Sequence, residues 1–164
     1  CFNSHTHDPD GGYNQPISEL LQHISDLWLK KEIRGVTITG GEPLIQRKSV
    51  ITLLRGIKAI GNIGTIVLTG FSQEECLKFS EFDTIKKFTD VLIAGPFIQD
   101  MKIQEGIRGS SNKELVLFTD HYTRDEFSYI PPVEVFVDLE GSLSITGIKP
   151  EILKAMKNNN TSFL

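Results

Sequence analysis

In ISELLQHISDLWLKKE the apolar residues Ile17, Leu20, Leu21, Ile24, Leu27 and Trp28 fall at helical spacing. This period predicts an amphipathic helix, with Pro16 suited to its first turn. The pattern then changes. Arg34 to Thr39 is almost continuously apolar and predicts a buried strand. SVITLLRGIKAIG returns to the helical period and is closed by Gly61. Ile63 to Thr69 predicts a second strand, followed by Gly70. Ser72 and Glu75 have capping-box spacing and open a third helix. Val91 to Ala94 is a third short strand after Asp90. VTIT, IVLT and VLIA lack a polar face, which predicts a parallel sheet of βαβ units covered on both sides. VEVFVDLEGSLSIT holds two alternating β runs around Glu140-Gly141 and predicts a hairpin, whose strands are antiparallel additions or an edge. Lys149 to Lys157 predicts a last helix before a frayed end, and Cys1 to Gly12 reads as loop.

Length fits a single domain spanning 1–164. An apolar share of 39% is enough to bury a core without staples. The 17 basic and 21 acidic residues leave a net charge of -4, which argues against a broad nucleic-acid footprint. No apolar run approaches membrane-spanning length and no signal-peptide pattern opens the chain, so a cytoplasmic protein is expected. Cys1 and Cys76 do not make a disulfide framework.

Ligands of such sheets bind at the carboxyl ends of the strands. Here those ends read TGGEP, TGFS and AGPF, each with a glycine where backbone can approach a ligand. Tight βα turns explain one such glycine; three on one rim favour a binding site. A phosphate loop is disfavoured, because GxGxxG and GxxxxGK[ST] are both absent and Glu42 stands where an anion would sit. Gly40, Gly41 and Glu42, with Pro43 biasing Glu42 toward an extended backbone, form either a clamp for an ammonium group or an ordinary turn. His5 and His7 suggest a metal site, but only His23 and His121 remain as further histidines, and a solvated loop is the stronger reading. Arg108-Gly109-Ser110-Ser111-Asn112 suits a carboxylate or ribose hydroxyls, or a plain polar turn. Cys76, beside two glutamates, reads as structural.

Taken together and in order, GVTITGGEPLIQ, CFNSHTHD, TGFSQEE, DVLIAGPFI and RGSSN resemble the radical S-adenosylmethionine (radical SAM) enzymes, and within them the anaerobic ribonucleotide reductase activating proteins. The resemblance runs from Cys1 to about Gly147. It implies a partial (βα) barrel of the radical SAM type with a mostly parallel sheet, its first strand missing, and a C-terminal β-hairpin. It also implies a 4Fe–4S cluster held by a CxxxCxxC loop, with Cys1 matching the third cysteine. The other two cysteines have no match, so the chain reads as N-terminally truncated and inactive alone. SAM would chelate the open iron through its amino and carboxylate groups. Gly40, Gly41, Glu42 and Pro43 would hold the methionine end, with Thr69, Gly70, Arg108, Ser110 and Asn112 on the rim. Asn3 and Thr6 would order the cluster loop. The implied activity is reductive cleavage of SAM to a 5′-deoxyadenosyl radical that removes hydrogen from a glycine of a partner enzyme such as anaerobic ribonucleotide reductase. An electron donor such as flavodoxin or ferredoxin is implied, with neither nucleic acid nor membrane as partner. Ala94 departs from the subfamily, which carries Asp in DVLIDGPF. The alternatives are a radical SAM enzyme acting on a small molecule or peptide, and a non-catalytic α/β binding module.

Overall fold

The computed structural model describes residues 13–103 and 106–128, together with the backbone of two later strands, 133–137 and 143–147. Helix α1 (Ile17–Leu29) begins after Pro16, which stands at the N-cap and not inside the first turn. It packs on α2 (Arg47–Ile60) through Ile24, Ile57 and Ile63. Gly61 does follow α2, but its φ of 173° is extended backbone open to any residue. Its glycine is explained by close approach: an added Cβ would lie 2.7 Å from Trp28 Nε1.

Strands β1 (Gly35–Ile38), β2 (Gly64–Thr69), β3 (Val91–Ala94) and β4 (Glu114–Leu117) form one sheet in the order β1-β2-β3-β4. The first two pairings are parallel, with Gly35 opposite Gly64 and Ile66 opposite Val91. The third is antiparallel, with Ala94 opposite Glu114. The βαβ expectation therefore holds for the first three strands. β4 was not expected. It is four residues long, and after the exposed Glu114 its Leu115, Val116 and Leu117 put apolar side chains on both faces, so it carries no alternation to read.

The helix-side core joins Ile38, Val67 and Leu92 of the strands to Leu44, Val50 and Leu54 near and in α2. It continues into α3 (Gln73–Cys76) through Cys76 and into α4 (Phe82–Lys87) through Phe82 and Ile85. Ser72 and Glu75 make both capping-box hydrogen bonds, but the helix they open has only four residues. On the opposite face, Ile66, Val91 and Ile93 are covered by Ile107, Tyr122 and Phe127. These come from the segments flanking β4, Phe127 from the short 3-10 turn Asp125–Phe127, so no α-helix among the described residues covers that side.

β5 (Val133–Val137) and β6 (Leu143–Gly147) pair antiparallel, as the hairpin pattern requires, but in a two-stranded sheet of their own. The antiparallel edge of the main sheet is β4. The helix expected at Lys149 to Lys157 lies outside the described residues, as do Cys1, Asn3, His5, Thr6 and His7.

Candidate functional site

Parallel pairing brings the glycine-marked ends of β1, β2 and β3 to one rim, and antiparallel β4 starts beside them. Glu42 joins two of these ends. Its backbone is extended (φ -140°, ψ 102°) and it caps the 3-10 helix Pro43–Gln46. One carboxylate oxygen accepts from the Leu44 N–H at 2.9 Å and from the Thr69 hydroxyl at 2.7 Å. The other accepts from the Gly70 N–H at 2.6 Å. Thr69 is buried, and its hydroxyl in turn accepts from the Phe71 N–H at 3.2 Å. A carboxylate offers about four lone-pair sites, so three protein donors leave little of Glu42 for a ligand. Glu42 and Thr69 thus form a tie between β1 and β2. Gly40 beside them has a positive φ of 149°, and a Cβ there would meet nothing within 4 Å. Backbone at that corner is open to an approaching group.

The third end is closed by the loop before β4. Gly95 (φ 129°) lies against Lys113, where a Cβ would come within 3.3 Å of its Cα. Asn112 donates to the Pro96 carbonyl at 2.8 Å, while its own Oδ1 is buried with no hydrogen-bond partner among the described residues. Arg108 donates to the Lys113 carbonyl at 3.2 Å and so braces the loop. Ser110 is fully buried beneath it, with its Oγ 3.5 Å from the Ile98 nitrogen. Lys113 was not singled out from the sequence, where it is one lysine after a polar turn. Burial pulls its pKa below the usual lysine range, against the opposing pull of the Glu42 charge.

Ala94 packs in the helix-side core and is buried. An unpaired carboxylate at that position would be costly. Cys76 is fully buried, and burial together with the charges of Glu42 and Glu75 pushes its thiol up to about 11. It does not suit iron, which takes thiolates. His23 lies exposed on α1. Among the described residues no cluster of three or more His, Cys, Asp or Glu side chains could hold a metal ion.

With this geometry in place, comparison with known proteins assigns the class. Residues 1–116 match the 4Fe-4S single cluster domain family. That span covers Cys1, the whole rim and most of β4. Two relatives narrow the assignment. The anaerobic ribonucleoside-triphosphate reductase-activating protein of Enterobacteria phage T4 is 30% identical over 126 residues, covering 73% of this chain and 76% of its own length. The protein of the same name from Pasteurella multocida (strain Pm70) is 31% identical over 109 residues, covering 63% of this chain and 67% of its own. No solved structure matches significantly. The chain belongs to the family of these activating proteins. It is a radical SAM oxidoreductase whose cofactors are a 4Fe–4S cluster and SAM.

The described residues fit these two groups unequally. For the cluster they supply no thiolate, since Cys76 is buried and protonated and Cys1 lies outside them. For SAM they supply open backbone at Gly40 and an orphaned acceptor at Asn112 Oδ1.

Proposed function

We propose that the rim holds SAM and that the chain activates a glycyl-radical enzyme, most directly an anaerobic ribonucleotide reductase of the kind named for its relatives. Backbone at Gly40 and Gly41 would meet the amino group of the methionine end, held in place by the Glu42–Thr69–Gly70 tie. Asn112 would accept from a hydroxyl or amine of the same ligand, and Arg108 would keep the loop that presents Asn112 in place. Cys1 would be one cluster ligand, with Asn3 and Thr6 ordering its loop. When bound, the cluster and SAM supply one-electron chemistry, and a flavodoxin or ferredoxin serves as donor. The protein contributes position and exclusion of water. The sheet is read as part of a partial (βα) barrel, and the chain as a single domain.

The observation that carries this reading is the meeting of three glycine-marked strand ends on one rim, two of them tied by the Glu42 carboxylate, beside a buried acceptor that no group among the described residues satisfies. The test is electron paramagnetic resonance of anaerobic ribonucleotide reductase after anaerobic mixing with the reconstituted protein, SAM and reductant. A carbon-centred radical on the partner is expected. SAM turnover with no radical on the partner would overturn the assignment of partner.

A further inference from the structure

An open groove of about 1000 Å³ runs beside β4, lined by Arg108, Asn112, Lys113, Glu114, Leu115 and Arg124 among others. Two features of it reach beyond the proposed SAM site, with which it shares Arg108 and Asn112. The first is an unpaired strand edge. Among the described residues β4 pairs only with β3. Phe118 donates its N–H to the Asp90 carbonyl at 2.8 Å, so the backbone groups of Val116 and Glu114 also face β3 by the alternation of an antiparallel ladder. The N–H and C=O groups of Leu115 and Leu117 then point to the open side. Such a row is a template for a further extended chain. The second feature is charge. Among the described residues that line the groove, Arg108, Lys113 and Arg124 accompany one carboxylate, Glu114, although the chain as a whole carries a net charge of -4.

We infer that this groove binds an extended acidic segment of a protein partner, which adds to the sheet as a strand beside β4. The inference deepens the proposed function, since it names how a protein substrate is held next to the rim, and it rests on that reading. Main-chain hydrogen bonds to Leu115 and Leu117 give affinity for any extended peptide, and the cationic lining selects acidic ones. Nucleic acid shares the charge but cannot continue a strand ladder.

The test uses the full chain without iron or SAM, so it reads the groove alone. A fluorescein-labelled octapeptide of alternating glutamate and valine is titrated by anisotropy, beside its lysine–valine counterpart and an oligothymidylate. The acidic peptide should bind, and Arg124→Glu should weaken it about tenfold. Hydrogen exchange at the Leu115 and Leu117 amides should slow on binding. Equal binding of both peptides, unchanged exchange at those amides, or tighter binding of the oligonucleotide would each overturn the inference. SAM cleavage, measured separately on reconstituted protein, reports on the proposed function, so the two failures are distinguishable.

Discussion

The Glu42 carboxylate is held by Leu44, Thr69 and Gly70, which makes Thr69 a positioning residue for the rim. Thr69→Val keeps shape and removes one hydrogen bond to a carboxylate. It should cost about 1.5–3 kcal/mol in chemical denaturation and raise the KM for SAM more than it lowers kcat. Thr69→Ser should restore most of both. Cys76 gives a second prediction at this scale. Its thiol, buried and pushed up to about 11, should resist iodoacetamide at neutral pH in the folded protein and react once denatured. The structural reading of Cys76 was legible because its glutamate neighbours are adjacent in sequence. The tie was not, because Glu42 and Thr69 are joined only when β1 pairs with β2. Lys113 was missed for the same reason: it meets Gly95 only when β4 pairs with β3.

Elements with strong local signals read well. The apolar stripes of α1 and α2, the short buried runs of β1 to β3 and the capping box at Ser72 are all local patterns, and each appears where expected. Ser72→Ala should cost about 1 kcal/mol in the midpoint of denaturation, with the loss confined to the α3 region in hydrogen exchange. Elements set by distant contacts read poorly. β4 has four residues and no alternation, and it is a strand because β3 offers it a ladder. The hairpin period was visible, but nothing in it says which sheet it joins. Gly61 does end α2 as expected, but its reason is distant: it makes room for Trp28 of another helix.

At the scale of the whole molecule, the end of the sheet opposite the rim is locked by Asp90. Its carboxylate accepts from Lys58 at 2.5 Å, from the Thr65 N–H at 2.7 Å and hydroxyl at 2.9 Å, and from the Thr119 hydroxyl at 2.7 Å. Burial alone would raise its pKa, but the hydrogen bonds from Lys58, Thr119 and Thr65 outweigh that and hold it below the usual carboxylate range. A depressed folded pKa gives stability that is fully present above the unfolded value, about 3.9. That stability is lost as pH falls through the lower folded value. Stability should therefore drop below about pH 4, and Asp90→Asn should flatten that slope while costing about 3 kcal/mol at neutral pH. This lock ties α2 to β2, to the start of β3 and to the end of β4, and so holds two of the three glycine-marked strands together.

The central claim is that the rim around Glu42 binds SAM for reductive cleavage. It is tested most directly by anaerobic reconstitution of the full-length protein with iron and sulfide. Methionine release from SAM on reduction is then measured for the parent and for Glu42→Ala. Cluster absorbance in both proteins, with cleavage in the parent and at least about a tenfold loss of kcat/KM in Glu42→Ala, is the predicted result. Cluster formation without SAM cleavage in the parent, or undiminished cleavage by Glu42→Ala, would contradict it.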